Sequence, residues 1–295
     1  WQAKRILWNT FNFGGNNTTS PDQLKMDVGA FNPLLGKSYG EIAAESRSMH
    51  KSQGFGTAKT RGSTIEYFKY LKGEAATGDL FEGIDQTWKR IENGVLIQSM
   101  IQDCINRYQP QQPDNSIPML ITIYQKLQEL NEINAYTRYW KIQKLKETEN
   151  LLIACSGLWL EVTAADYIGI PGNKVDITAQ AIVRTNTITV KLNKLTWLNL
   201  TDTTLALSIN PNELYSFKLK EAIPATYAFS NPYWLNETHA SGMYTVKSPQ
   251  LIGQPENFPA AKVVFDIELN GLSLKCERGL VYKYTDPVKG EIYRP

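Results

Sequence analysis

Hydrophobic and polar positions alternate with different periods in three zones of the chain, which we divide at residues 1–90, 91–157 and 158–295. The first zone has no sustained period, and turn-forming stretches interrupt it at 14–17 and at Asn32-Pro33. It is therefore predicted to combine loops with short helices.

One helix stands out in the first zone. It is predicted to begin near Glu41 and to end before Gly54, because glycine readily adopts the left-handed conformation that terminates helices. The residues that recur at helical spacing and fall within one narrow stripe are Ile42, Ser46, Met49 and Gln53.

The second zone has a helical period that begins upstream of it, near residue 82. Two apolar stripes are rotated by about half a turn relative to each other, and Asn93-Gly94 lies at the change of phase. One straight helix could not bury both stripes against one core, so a helix or domain boundary is predicted there. The stripes are Ile84, Trp88, Ile91 and Val95, then Met100, Ile101, Cys104, Ile105 and Tyr108.

Two further helices are predicted in the second zone. Pro110 and Pro113 end the preceding segment, and Ser116 is a candidate N-cap ahead of Pro118. The helix that follows carries Leu120, Tyr124 and Leu127, and the next is predicted over about 136–155.

After Gly157 the period changes to two, which is typical of strands with one buried face. The clearest signal is a hairpin, in which alternating residues 263–269 lead into Asn270-Gly271 and return over 272–276. Many short strands with polar turns indicate an antiparallel Ig-like β-sandwich. The predicted fold is thus α+β and multidomain: the tail of an α/β catalytic domain, a helical segment and a sandwich.

Composition changes this picture little. Lys and Arg total 31 against 29 acidic residues, without long runs of one sign, so no nucleic-acid partner is predicted. No apolar stretch approaches the roughly 20 residues that a membrane-spanning helix needs. Cys104, Cys155 and Cys276 are far apart and lie in apolar surroundings, which suits buried thiols.

The residues indicate no self-contained catalytic centre. A hydrolytic metal site needs several converging ligands, and the chain has only His50 and His239, without a second histidine one helical turn from either. The sequence also has no G-x-S-x-G, Walker or G-x-G-x-x-G motif. No catalytic residue, metal or cofactor is therefore assigned to this chain.

The segment His50-Lys51-Ser52-Gln53 resembles part of a known family. The PIG-L, or LmbE-like, N-acetylglucosaminyl deacetylases have catalytic domains that often end in a helix bearing H-x-S-Q. The preceding residues 32–39, with Asn231-Pro232-Tyr233-Trp234-Leu235 much later, resemble the large multidomain bacterial members. The resemblance implies that this chain is the C-terminal portion of such a zinc-dependent sugar deacetylase.

The family's metal motifs do not occur here. Its members bind zinc through A-H-P-D-D and a later H-x-x-H, and an Asp of the first motif acts as general base. By resemblance, zinc and base belong to an upstream catalytic domain of the same polypeptide, which is the expected partner, and this chain alone would be inactive. Residue 1 is Trp rather than Met, so that domain and any signal peptide are expected upstream. A secreted or periplasmic location is expected from the resemblance alone.

His50 and Gln53 are the candidate substrate-pocket residues. Gln53 shares the stripe of Ile42 and Met49, so it is predicted to point inward, and His50 lies about 60° from it round a helix. Both could border the sugar pocket of the parent enzyme. The alternatives are a structural amide that anchors the turn at Gly54 and a structural histidine.

Two other functions stay open. The sandwich could be a carbohydrate-binding module, with Tyr233, Trp234 and Tyr244 as a sugar platform, or it could be a spacer whose aromatic residues fill the core. An exposed row of aromatic rings favours binding. An autonomous hydrolase would instead need a convergent polar pocket with perturbed ionisable groups. His239 is predicted to be an exposed loop residue.

The purified chain is expected to bind zinc only weakly and to release no acetate from N-acetylglucosamine compounds, because the family's ligand set is missing. Elemental analysis after dialysis and an acetate-release assay measure both. Stoichiometric zinc together with acetate release above background would contradict the prediction.

Overall fold

The computed structural model describes residues 3–294 and divides into two compact units, Trp1–Gln86 and Thr87–Pro295. The described residues contain four α-helices and several antiparallel sheets, which confirms the mixed α and β composition predicted from the sequence. No helix within residues 3–294 is both long and apolar enough to cross a membrane.

The first unit is built mainly from strands. β7 pairs antiparallel with both β1 and β4, and two short ribbons, β2 with β3 and β5 with β6, lie between the strands of this sheet in sequence. The prediction of loops and short helices missed these strands, because β7 has no buried residue and thus no alternation to reveal it. The elements are β1 (Arg5–Thr10), β2 (Asn12–Phe13), β3 (Asn16–Asn17), β4 (Leu24–Asp27), β5 (Phe31–Asn32), β6 (Lys37–Ser38), α1 (Tyr39–Ser48) and β7 (Ile65–Gly73).

Helix α1 begins and ends earlier than the stripe predicted. It begins with a capping box, in which the Ser38 hydroxyl accepts from the Glu41 amide at 3.2 Å and the Glu41 carboxylate accepts from the Ser38 amide at 3.0 Å. It ends at Ser48, and a separate 3-10 turn, Lys51–Gln53, follows it before Gly54. Met49 and Gln53 are exposed, so no packing extends the helix past Ser48.

The first unit buries few apolar side chains. Among its described residues, only Leu24 and Ala44 are buried apolar residues. Many large apolar side chains are exposed instead, and they include Phe13, Phe31, Leu34, Leu35, Met49, Phe55 and Leu71.

The helices of the second unit follow the sequence prediction closely. α2 (Gly94–Asn106) begins at the predicted change of phase, where Asn93 has the left-handed φ of 61°. α3 (Ile117–Gln128) follows Ser116, although the Ser116 side chain makes no capping hydrogen bond. α4 (Ala135–Ser156) is capped by the Asn134 side chain, which accepts from the Thr137 amide at 2.8 Å.

The first of the two predicted stripes is not helical as a whole. Ile84 follows the turn at 80–83 and Trp88 lies in a short 3-10 helix, Trp88–Arg90, while Val95 is exposed on α2. Ile91 alone of the four is buried, beside Ile97 and Ile123. The stripe was wrong because the left-handed Asn93 separates two local structures that share a helical spacing only by coincidence.

The strands of the second unit form two sheets. One has the order β11-β10-β13-β14 and the other β12-β9-β8-β15-β16. Neighbouring strands are antiparallel except β8 and β15, which run parallel. The strands are β8 (Trp159–Ala164), β9 (Lys174–Ile182), β10 (Val190–Trp197), β11 (Thr201–Ile209), β12 (Tyr215–Ala222), β13 (Lys262–Leu269), β14 (Leu272–Gly279), β15 (Val281–Asp286) and β16 (Gly290–Arg294).

One hydrophobic cluster joins these sheets to the helices. Alternate residues of β9, β10, β13 and β14 point into it, and Phe265 and Val263 are fully buried there. Ile117 of α3 and Leu152 of α4 belong to the same cluster and are equally buried. The helices and the strands of this unit thus depend on a common core. The sequence-based division at residue 157 stays a prediction.

The hairpin of β13 and β14 confirms the sequence prediction. Leu269 pairs with Leu272, and both central turn residues have left-handed backbones, Asn270 at φ 49° and Gly271 at φ 85°. This is the conformation for which Asn-Gly turns are favoured, because its twist matches that of the strands. Phe265 and Ile267 are both buried on the same face.

Replacement of Gly271 by Ala is expected to destabilise the second unit by about 1–2 kcal/mol, because a β-carbon is strained at positive φ. Gly271→Asn is the matched control and should cost less, since asparagine tolerates this conformation. Denaturant unfolding followed by tryptophan fluorescence measures both. Equal stability of the Ala variant and the parent would contradict the turn geometry.

The first unit is expected to exchange its amide hydrogens faster than the β13–β14 hairpin. Its few buried apolar residues offset little of the entropy lost on ordering the chain. Hydrogen exchange measured by mass spectrometry on a dilute monomer tests this, and limited proteolysis should cut before about residue 80 first. Protection of residues 3–75 equal to that of β13 would show that the unit is stable by itself.

Candidate functional site

The two residues predicted from the sequence lie together in the first unit. His50 and Gln53 border the 3-10 turn after α1, and the His50 Nδ1 lies 2.9 Å from the Gln53 Oε1. Because an amide oxygen only accepts, His50 must carry its proton on Nδ1 for this hydrogen bond. Both side chains are exposed, so the predicted inward orientation of Gln53 is wrong. Their role in a substrate pocket stays a prediction.

The other aromatic candidates lie in the long segment between β12 and β13. Tyr233 and Trp234 contact each other edge to face at 5.0 Å, and both are half-buried. Tyr244 is exposed and lies 4.9 Å from the ring of His239, which is exposed as predicted. These side chains do not form one flat row.

A cavity of about 340 Å³ opens where β8, β10 and β12 end and β9 and β15 begin. We call it the end cavity. Its walls are Ala164, Val175, Trp197 and Tyr282 from the strands, together with residues of the loops 165–173 and 223–230. Sequence analysis missed this cavity because its walls come from segments far apart in the chain.

Trp197 forms the buried base of the end cavity. It is the last residue of β10, it is 2% exposed, and it lies opposite Val263 in the register of β10 and β13. Its indole N–H donates to the Ala222 carbonyl at 3.0 Å, at the end of β12. This hydrogen bond satisfies the buried donor and joins a strand of one sheet to a strand of the other.

Tyr167 and Tyr282 form one wall of the end cavity, and Tyr284 lies beside Tyr282 outside the lining. Tyr282 stacks on Tyr284 at 5.8 Å with an interplanar angle of 24°, and Tyr167 lies 5.9 Å from Tyr282 on the other side. The guanidinium of Arg294 covers Tyr284 at 5.4 Å. Tyr167 is 61% exposed, whereas Tyr282 and Tyr284 are half-buried. The rings thus form a short row that solvent can reach.

Backbone contacts hold the loops that border the end cavity. The Gly172 amide donates to the Ile223 carbonyl and the Ile223 amide donates to the Asn173 carbonyl, each at 2.9 Å. A β-carbon on Gly169 would lie only 2.8 Å from the Ile223 side chain, so glycine permits this close approach. The Tyr227 hydroxyl donates to the Ala260 carbonyl at 2.6 Å and joins the loop to the residues just before β13.

A second cavity of about 340 Å³ adjoins the first, and we call it the side cavity. Its lining includes Trp234, Pro255 and Phe258, and it shares Ser230 and Ala260 with the end cavity. Asn257 fixes its shape, because its side chain donates to the Asn231 carbonyl at 2.6 Å and accepts from the Tyr233 amide at 2.9 Å.

The charged groups of the two cavities are acidic. Asp166 lines the end cavity and Glu256 lines the side cavity, and no Lys, Arg or His is among the described lining residues. Within residues 3–294 no group of three or more His, Cys, Asp and Glu side chains is placed to hold a metal ion. Aromatic faces combined with a few hydrogen-bonding groups suit a neutral or cationic ligand that has both apolar faces and hydroxyl groups.

A polar cluster on the opposite face of β15 anchors the tyrosine wall. The Lys283 ammonium lies 2.7 Å from the buried Glu161 of β8 and 3.5 Å from Glu291 of β16. The Tyr293 hydroxyl lies 2.8 Å from Glu291 and 3.1 Å from Glu161. Hydrogen bonding to the Glu291 carboxylate, followed by burial and the bond to Glu161, raises the pKa of Tyr293 to about 12. Hydrogen bonding to Glu161 also raises the pKa of Lys283.

The three cysteines do not form a reactive site. Burial raises the pKa of the Cys276 thiol to about 11, and the pKa values of Cys104 and Cys155 are raised for the same reason. All three are free thiols, and Cys276 is fully buried in the core. This agrees with the prediction of buried thiols for Cys276, while the other two are half-buried.

Comparison with known proteins places the chain in no family. No protein-family model matches it, and no curated protein is similar to it. Among solved structures it is similar to Pseudomonas fluorescens alkylpurine DNA glycosylase AlkC bound to DNA containing an abasic site analog, at 10% identity and a TM-score of 0.22. That match covers 57% of this chain and 46% of the other, so it spans less than half of the glycosylase chain. At this TM-score the likeness carries no argument about fold or function.

Proposed function

We propose that this chain is the C-terminal accessory region of a PIG-L/LmbE-like zinc-dependent sugar N-deacetylase, and that it binds carbohydrate in the end cavity. The resemblance of His50-Lys51-Ser52-Gln53 and of residues 231–235 supports the first part. The row of tyrosine rings beside a cavity of about 340 Å³ supports the second.

In this proposal the two sheets of the second unit form an Ig-like β-sandwich. Supporting this, strands of both sheets send alternate side chains into one hydrophobic cluster, as the inner faces of a sandwich do. The Trp197–Ala222 hydrogen bond links the sheets at the cavity end. A ligand site at such an end is built from loops on a rigid scaffold, which is where binding residues commonly lie.

A sugar suits the end cavity better than a purely apolar ligand. Pyranose rings present C–H faces that pack on aromatic rings, and their hydroxyl groups need acceptors such as the Asp166 carboxylate and backbone carbonyls. The cavity volume falls in the range of roughly 300–1,000 Å³ typical of small-molecule sites. The exposed Tyr167 and Phe229 are positioned to contact a ligand at the opening.

Deacetylation itself would belong to the upstream catalytic domain, with its zinc and its general base. His50 and Gln53 would then border the substrate pocket of that domain. Their exposure and their mutual hydrogen bond support this role, since both side chains are accessible and oriented by each other. The accessory region would hold the glycan near the catalytic centre and raise its local concentration.

Binding of hexoses and hexosamines is expected to shift the indole N–H signal of Trp197 in NMR titrations, because this group lies at the base of the end cavity. Tyr167→Ala should weaken binding at least about fivefold, as expected when a central aromatic contact is truncated. Tyr139→Ala, an exposed tyrosine on α4 outside the cavity, is the matched control and should leave the titration unchanged.

Two results would contradict the binding proposal. One is the absence of any Trp197 shift with glucose, galactose, glucosamine and N-acetylglucosamine at saturating concentration. The other is an identical titration for the parent and Tyr167→Ala. Either result would favour the alternative in which residues 158–295 are a spacer.

A further inference from the structure

The linings of the end cavity and the side cavity together indicate the length and the charge of the glycan that the proposed function requires. We infer that the end cavity and the side cavity are adjoining subsites for one glycan chain, and that they select chains with amino groups over chains with acidic groups. This inference rests on the proposed function, since it requires that the end cavity binds sugar.

The two cavities adjoin each other at Ser230 and Ala260. Ser230 and Ala260 line both of them, so a ligand that fills the end cavity and passes these residues enters the side cavity. Each has a volume of about 340 Å³, which gives each subsite room for a ring. A single sugar would occupy only half of this surface.

Aromatic side chains are present in both subsites. Tyr167 and Tyr282 form the wall of the end cavity, and Trp234 and Phe258 line the side cavity. Phe258 is 71% exposed and Trp234 is held by its edge contact with Tyr233. Apolar rings spaced along a groove match a chain whose successive units each present a flat face.

The side cavity is shaped before any ligand arrives. Its two segments, 230–234 and 255–258, are joined by the Asn257 side chain through its bonds to the Asn231 carbonyl and the Tyr233 amide. The Tyr233 hydroxyl adds a third bond, to the Gln254 carbonyl at 3.0 Å. A pre-formed groove lowers the entropy cost of binding and makes a second subsite effective.

The charge of the lining residues determines which kind of glycan chain is preferred. Each subsite has one carboxylate, Asp166 or Glu256, and neither is lined by Lys, Arg or His among the described residues. Arg294 covers Tyr284 and is not part of either lining. A uronic acid chain would meet like charge in both subsites, whereas a protonated amino sugar would meet opposite charge.

Isothermal titration calorimetry of the full chain tests both the two-subsite arrangement and the charge preference. It is done at about pH 6, because hexosamine amines are protonated there and carboxylates are ionised. The probes are glucosamine, the β-1,4-linked glucosamine tetramer, the N-acetylglucosamine tetramer and tetragalacturonate, with tetralysine as the control for binding of any cation. The glucosamine tetramer is expected to bind roughly tenfold more tightly than the monomer. The N-acetylated tetramer should bind less tightly, and tetragalacturonate should bind least.

Three variants locate the effect. Phe258→Ala should move the tetramer-to-monomer affinity ratio towards one, while Phe13→Ala, which changes a phenylalanine of the first unit that is also largely exposed, should leave that ratio unchanged. The double variant Asp166→Asn/Glu256→Gln should remove the preference for the glucosamine tetramer over its N-acetylated form. Added salt should reduce the same preference in the parent chain.

The outcomes separate this inference from the proposed function. Monomer binding that depends on Tyr167 but no gain for the tetramer would overturn the two-subsite inference and leave the proposed function standing. Equal or tighter binding of tetragalacturonate would overturn the charge preference. Tetralysine that binds as tightly as the glucosamine tetramer would show a site for cations rather than for sugar chains. Absence of binding by every probe would overturn both proposals.

Discussion

Burial of alternate residues from two sheets in one cluster is the constraint on which the second unit depends. Phe265, Leu269 and Val263 are fully buried, and truncation of such a phenylalanine to alanine typically costs about 3–5 kcal/mol. Surface ion pairs such as Lys194–Asp202 are worth roughly 0–1 kcal/mol each. The core therefore decides the register of the strands, and α3 and α4 are positioned because Ile117 and Leu152 belong to the same cluster.

The end cavity opens at the edge of this core, where Trp197 is the last residue of β10 and belongs to the core. The strand residues that line the cavity beside Trp197 include Ala164 and Val175, whose small side chains leave space between the strand ends. Loops then cover the opening, and they do so through backbone hydrogen bonds such as those of Ile223 with Gly172 and Asn173. Tyr282 of β15 lines the cavity, and the opposite face of this strand is anchored by the ion pair of Lys283 with Glu161.

Local patterns were sufficient to predict the hairpin and the helices of the second unit. Alternation over 263–269 and the Asn-Gly turn are properties of neighbouring residues, and so is the left-handed break at Asn93 before α2. The strand pairs of the first unit were missed, because Trp8 and Lys69 are 61 residues apart and neither strand alternates. The stripe through Met49 and Gln53 was misleading, since a stripe predicts a longer helix only where a core receives it.

The cavities were harder still to predict. Tyr282 lies beside Ala164 only through the parallel pairing of β15 with β8, and no local signal encodes a pairing between segments more than a hundred residues apart. Tyr233 and Trp234 are candidates for a sugar platform from the sequence, and Trp234 does line the side cavity, whereas the sequence analysis does not single out Tyr167 or Tyr282. A signal existed for Tyr282, since its spacing of two residues from Tyr284 places both rings on one face of a strand.

The first unit differs from the second in how it can be stabilised. Ordering a residue costs about 1–2 kcal/mol of backbone entropy, and two buried apolar side chains cannot offset this over its described residues. The capping box of Ser38 and Glu41 adds little to this, because a helix cap contributes only about 1 kcal/mol. Exposed apolar side chains such as Phe31, Leu34 and Leu35 are therefore its largest unused source of stabilisation. Under the proposed function, the upstream catalytic domain is the partner that would cover them, and the exposed His50 and Gln53 of the same unit would then lie where that domain's substrate is bound.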